Sequence, residues 1–155
     1  MTSLNHEIEI EAPIEYVFEW GTTPENWMRS TPALINVDII DETDEGTHYR
    51  NTLKILGRTT TSDELYTVDE ENYRTTSVYD DEDFSGELFF DHTETEAGTH
   101  VRLHGDIETG TSLFDRALRP VVTRYMNRQY RNSLMTMKEL IEVEYAAQEP
   151  EPVES

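Results

Sequence analysis

From Leu4 to Glu11 the chain alternates. Ile8 and Ile10 fall on one face and Glu7, Glu9 and Glu11 on the other, which predicts a strand buried on one side. At Ala12-Pro13 the rhythm changes, and Ile14, Val17 and Phe18 recur at helical spacing up to Gly21. Pro13 suits the first turn of a helix, where its missing N–H costs nothing. Thr23-Pro24-Glu25 then reads as a cap, a proline at the first helical position and an acidic first turn. These residues open a second short helix through Trp27 and Met28, which Pro32 closes.

Extended segments follow at regular intervals. Ala33 to Glu42 carries Ile35, Val37 and Ile39 in alternation, and Asp44-Glu45-Gly46 is a turn signal. Tyr49, Asn51, Leu53 and Ile55 alternate with His48, Arg50, Thr52 and Lys54, and Gly57 marks a bend. Arg58 to Val68 is rich in threonine, Asp69 to Asn72 turns, Tyr73 to Tyr79 is a strand, and Asp80 to Asp83 turns again. Glu87 to Thr95 and a clean alternation of Val101, Leu103, Gly105 and Ile107 complete the series. Strands at 8–12-residue spacing with turn residues between them predict an antiparallel meander.

Beyond Thr111 the period changes to that of a helix. Ser112 and Asp115 form a plausible cap pair for a helix from Leu113 to about Glu144. Leu118, Val122, Met126, Tyr130, Leu134, Met137 and Ile141 make one stripe, and Pro120 predicts a kink or restart within the run. Residues 146–155 are acidic and proline-bearing and read as a disordered tail, leaving one domain over 1–145.

Composition narrows the function. Thirty-three acidic residues oppose twelve basic ones, for a net charge of −21, and only Lys54 and Lys138 are lysines. Such a surface repels phosphate backbones and argues against nucleic-acid binding. The acid-rich, lysine-poor, threonine-rich balance resembles proteins of salt-loving archaea, where molar salt shortens the Debye length to ~3 Å and screens self-repulsion. A halophilic, cytoplasmic protein is therefore expected. The chain has no cysteine, hence no disulfide and no thiolate chemistry. It shows no signal peptide and no apolar run of the ~20 residues that span a bilayer, so no stable membrane insertion is expected.

Motifs for chemistry are sparse. His100 and His104 lie four residues apart, but on a strand that separation is about 13 Å, too far for one metal. No metal and no cofactor are expected. His6 and His92 share the parity of Ile8-Ile10 and Leu88-Phe90, so either can point inward. No nucleophile elbow, zincin helix or phosphate loop is present.

The order strand, two short helices, about six strands and one long helix, with Ala12-Pro13, Pro24…Trp27…Pro32 and the run Met137-Lys138-Glu139-Leu140-Ile141-Glu142, resembles the START-like (SRPBCC) helix-grip superfamily. Its polyketide cyclase/dehydrase and lipid transport branch is the most similar. The resemblance implies an α+β fold, a curved seven-stranded antiparallel sheet wrapped around the long C-terminal helix with an apolar cavity between them. It implies a hydrophobic small-molecule partner such as a lipid, an isoprenoid or quinone, or a polyketide-like compound. In such a cavity Trp27, Tyr49, Leu53, Tyr79, Phe90, Leu103, Met126, Tyr130 and Met137 are the expected ligand-binding residues, with His92 and Arg124 as polar candidates. Tyr73, Phe89, Tyr125, Asn127 and Arg128 are further aromatic and polar candidates for the same chamber. The expected role is a carrier or sensor. A cyclase/dehydratase is the alternative, and a groove for a partner protein segment comes third. Oligomeric state is not legible.

Overall fold

The computed structural model describes residues 2–82, 84–110 and 116–148. The elements run β1 (Thr2–Ile10), α1 (Ile14–Gly21), α2 (Pro24–Ser30), β2 (Leu34–Thr43), β3 (Gly46–Ile55), β4 (Arg58–Asp69), β5 (Arg74–Asp80), β6 (Phe84–Glu94), β7 (Thr99–Thr109), a 3-10 turn (Arg116–Leu118) and α3 (Arg119–Gln148). All seven strands form one antiparallel sheet in the order β1-β7-β6-β5-β4-β3-β2. This is the α+β helix-grip architecture expected from the sequence. The first strand pairs with the last, so α1 and α2 carry the chain from one edge of the sheet to the other.

Side-chain parity sets the concave face. Even positions of β1, β4 and β6 and odd positions of β3, β5 and β7 turn inward, and α3 lays Val122, Met126, Leu134, Met137 and Ile141 against them. Ile10, Val17, Leu88, Val101, Leu103, Ile107 and Ile141 are almost fully buried. Each such side chain contributes roughly 1.5–3 kcal/mol by leaving water. The curvature has a local cause at Gly86 and Gly105, mid-strand residues with φ of 129° and 148°. A Cβ at Gly86 would strike the carbonyl of Asp106, and one at Gly105 the carbonyl of Glu87. Glycine lets the two backbones close up and fold the sheet at this point.

Several expectations about the elements are revised. Pro13 is the residue before α1, with an extended backbone, not its first helical residue. Thr23 precedes α2, but its hydroxyl donates back to the Glu19 carbonyl at 2.8 Å and makes no side-chain cap. Tyr73 is a turn residue with φ of 52°, and β5 starts after it. In β2, a register shift between Leu34 and Asn36 takes Ile35 out of the alternation and leaves it exposed, and Ile39 is exposed on this edge strand although it stands opposite the buried Tyr49. Pro120 falls in the first turn of α3, where the chain restarts after the 3-10 turn, and Leu118 is exposed there. The expected cap pair Ser112 and Asp115 lies outside the described residues. Helix α3 continues to Gln148, beyond the boundary expected at residue 145. Among the described residues no helix is long and apolar enough to cross a membrane.

Candidate functional site

The N-terminal half of α3 lies directly on β1. Thr2 and Thr123 share a hydrogen bond of 3.0 Å between their hydroxyls, and His6 Nε2 pairs with Asn127 Oδ1 at 3.0 Å. Further along, α3 stays on β1, with Lys138 Nζ donating to the Glu9 carbonyl at 2.7 Å and Glu142 accepting from the Glu11 N–H at 2.8 Å, and leaves space on the side of the strands beyond β1. A cavity of ≈ 160 Å³ opens there, bounded by β3 to β7, the α1–α2 corner and the middle of α3. Its apolar walls are Trp20, Trp27, Leu34, Leu53, Phe84, Phe90, Leu103, Ile107, Leu134 and Met137. The corner is fastened by Glu144, which accepts a fork of hydrogen bonds from Arg29 at 2.9 and 3.1 Å and the Trp20 indole N–H at 3.4 Å.

One wall is polar. On β3 and β4, Asn51 stands opposite Ser62, and Tyr49 opposite Glu64. Across β4 and β5, Glu64 faces Tyr79, and Tyr66 faces Ser77. Asn51, Ser62, Glu64, Tyr66, Thr75, Ser77 and Tyr79 all line the cavity, joined by Tyr130 and Ser133 from α3. Asn51 Nδ2 donates to Glu64 Oε1 at 2.7 Å. Burial pushes the Glu64 carboxyl above the usual carboxylate range, while hydrogen bonds from Asn51, Ser77 and Tyr79 oppose that rise. Burial likewise raises the phenols of Tyr66, Tyr79 and Tyr130, with the Glu64 charge adding to the effect. Asn51 Oδ1 and Ser62 Oγ are buried with no hydrogen-bond partner among the described residues.

His92 closes the end of the cavity next to α1. Its Nδ1–H donates to the Tyr73 carbonyl at 3.0 Å, and its ring packs edge-on against Phe18. The Nε2 edge lies beside Gly21. Burial lowers the His92 pKa, which favours the neutral ring.

Of the residues singled out from sequence, Trp27, Leu53, Tyr79, Phe90, Leu103, Tyr130, Met137 and His92 line the cavity. Tyr49, Met126 and Arg124 do not. Tyr49 sits behind the lining, its ring edge-on to Trp27 at 5.3 Å and to Tyr66 at 6.0 Å. Met126 belongs to the closed core where α3 rests on β1. Arg124 is two residues from both Val122 and Met126, which turns it about 200° away from each on a helix. It lines a surface depression with Thr2, Glu108, Arg119 and Thr123. Among the further candidates, Tyr73 meets Phe18 edge-on. Phe89 is on the outer face, stacked on His104 with Arg74 over its ring. Tyr125 packs at the margin of the core, Asn127 is engaged by His6, and Arg128 is exposed. His100 and His104 also face outward, paired with Glu7 and Asp91. Among the described residues no cluster of three or more His, Asp or Glu side chains is arranged to hold a metal.

The polar wall escaped sequence reading. In an acidic chain one more glutamate carries no signal, and β4 was legible only as threonine-rich. The usable clue was that Thr60, Ser62, Glu64 and Tyr66 share the parity that cross-strand pairing aligns with Asn51 and Tyr49.

Solved structures share this architecture. The protein TTHA0849 from Thermus thermophilus superposes with a TM-score of 0.81 at 22% identity, over 94% of this chain and 99% of that one. The Zhui aromatase/cyclase from Streptomyces sp. R1128 gives 0.82 at 16% identity, over 94% and 97%. A START superfamily protein from Mycobacterium smegmatis gives 0.72 at 12% identity, over 92% and 99%. At these identities the likeness is one of fold. No curated protein matches the chain. The model of one family, described as polyketide cyclase / dehydrase and lipid transport, matches residues 1–142. With nearly the whole length matched and the helix-grip fold in place, the chain belongs to the polyketide cyclase / dehydrase and lipid transport family.

Proposed function

We propose that the protein holds a hydrophobic small molecule, a lipid, isoprenoid, quinone or polyketide-like compound, inside the grip as a carrier or sensor. The observation that carries this reading is the unfilled space of ≈ 160 Å³ between the sheet and the middle of α3, walled by Trp20, Trp27, Leu53, Phe90, Leu103 and Met137. Space of this size is comparable to apolar cavities of ~150 Å³ that take up a single aromatic ring. Tight packing in protein interiors makes such a gap costly unless a guest uses it. An apolar fluorescent probe is expected to bind, and Tyr130→Ala, which enlarges the chamber, is expected to change its affinity severalfold. Unchanged uptake in that variant, together with native mass spectra showing no apolar ligand in extracted protein, would overturn the reading.

A second reading, a cyclase or dehydratase, is favoured by a separate observation. Glu64, Tyr79 and His92 bring a carboxyl, a phenol and a neutral imidazole to the same cavity. Such groups can polarise a carbonyl or move a proton once a substrate is oriented beside them. The Streptomyces neighbour, an aromatase/cyclase by name, supports this as an analogy of fold. Turnover of a β-polyketone analogue that disappears in both Glu64→Gln and His92→Phe would establish it. Undiminished turnover in both would remove these residues from any catalytic role.

A further inference from the structure

Asn51 and Ser62 are directly opposed on β3 and β4, and both line the cavity. Their residues are 5% and 2% exposed. The Asn51 amide is oriented by its donation to Glu64 Oε1 at 2.7 Å, which leaves its oxygen as the atom without a partner. The Ser62 hydroxyl is the second such atom. Buried polar atoms are hydrogen-bonded in the great majority of cases, because an orphan has given up its hydrogen bonds to water with nothing in exchange. The pair therefore asks for a guest that supplies what it lacks. Asn51 Oδ1 accepts only, whereas Ser62 Oγ can donate as well as accept. A single hydroxyl satisfies both, by donating to Asn51 Oδ1 and accepting from the Ser62 O–H.

Building on the cavity reading above, we infer that the ligand is a neutral, largely apolar molecule carrying a hydroxyl, an alcohol or a phenol, which is anchored between Asn51 and Ser62. A carboxylate guest is disfavoured twice over: it has no proton to give Asn51 Oδ1, and it brings a second acid beside Glu64. An ether or ketone guest can accept from Ser62 but leaves the Asn51 oxygen bare. A pure hydrocarbon leaves both orphans in place.

The test uses a matched set of probes: 2-naphthol, 2-methoxynaphthalene, 2-methylnaphthalene and 2-naphthoate, titrated by fluorescence against the full chain in molar potassium chloride. Two hydrogen bonds near 1 kcal/mol each predict that 2-naphthol binds roughly tenfold or more tighter than the methyl compound. The methoxy compound, which can accept from Ser62 but has no proton for Asn51, should fall between the methyl compound and 2-naphthol, and the naphthoate should bind most weakly of the four. Ser62→Ala, a small change expected to leave the fold intact, should bring 2-naphthol within a few-fold of 2-methylnaphthalene without weakening the latter. Asn51→Leu should do the same. If 2-naphthol and 2-methylnaphthalene bind equally, or if the methoxy compound binds best, the anchoring pair is wrong while the cavity reading stands. If none of the four binds, the cavity reading fails and this inference falls with it.

Discussion

The Tyr73 carbonyl oxygen receives two hydrogen bonds from His92, one from the backbone N–H at 3.1 Å and one from the ring Nδ1–H at 3.0 Å. Tyr73 achieves this from a left-handed backbone conformation, φ 52°, which a non-glycine residue adopts at some cost. The arrangement fixes the imidazole tautomer and leaves Nε2 as the open edge at the end of the cavity.

His92 should make the fold acid-sensitive. Burial lowers its pKa from the ordinary value near 6.5, so the folded protein binds fewer protons than the unfolded chain in the interval below it. The stabilisation is complete above about pH 6.5 and is lost as pH falls through that value towards the lowered one. Urea midpoints taken between about pH 7 and pH 5 should drop further in the parent protein than in His92→Phe. Equal drops would show that His92 does not carry the effect.

Glu64 acts in the opposite direction. Its folded pKa is raised, so the folded state binds more protons than the unfolded chain above the ordinary carboxylate value. Stability is therefore unpenalised in acid and declines as pH rises from about 4.5 towards the raised value. Glu64→Gln keeps an oxygen for Asn51 and removes the titration, so it should flatten that decline and be at least as stable as the parent at neutral pH. A steeper decline in the variant would contradict the assignment.

The bend at Gly105 should tolerate no side chain. An added Cβ meets the Glu87 carbonyl oxygen, and the φ of 148° is itself strained for an L residue. Gly105→Ala should cost at least about 1–3 kcal/mol from the backbone alone. Thermal unfolding measures this directly, and a change within a few tenths of a kcal/mol would mean the sheet is not locked at this point.

The charge of −21 leads to a dependence on salt. Screening of self-repulsion should outweigh the weakening of exposed pairs such as Arg50–Asp63, each worth about 1 kcal/mol or less. The denaturation midpoint should therefore rise between dilute and molar potassium chloride. A midpoint that fell over that range would argue against adaptation to a salty interior.

Much of the architecture was written in local pattern. Period-2 alternation in β3 and β7, turn residues at Asp44-Glu45 and Leu56-Gly57, and the stripe from Val122 to Ile141 each report a nearest-neighbour preference that tertiary structure then kept. Where pattern misled, a longer-range cause intervened. Ile35 and Ile39 alternate in sequence, but a register shift displaces Ile35, and Ile39 stands on an edge strand whose inward face is not covered there, so both lie in solvent. Met126 belongs to the same helical stripe as Tyr130 and Met137, and only the contact of α3 with β1 decides which of them meets a cavity and which meets core.

The sequence by itself determined the order of elements, the inward parity of most strands, the acidic surface and the family, because each is encoded by neighbours along the chain or by composition. Only the tertiary structure decided that a gap is left between the middle of α3 and the strands beyond β1, and that Asn51, Ser62 and Glu64 meet at it. Those contacts depend on how two glycines bend a sheet and where a helix comes to rest on it, relations between residues distant along the chain. No local pattern records them.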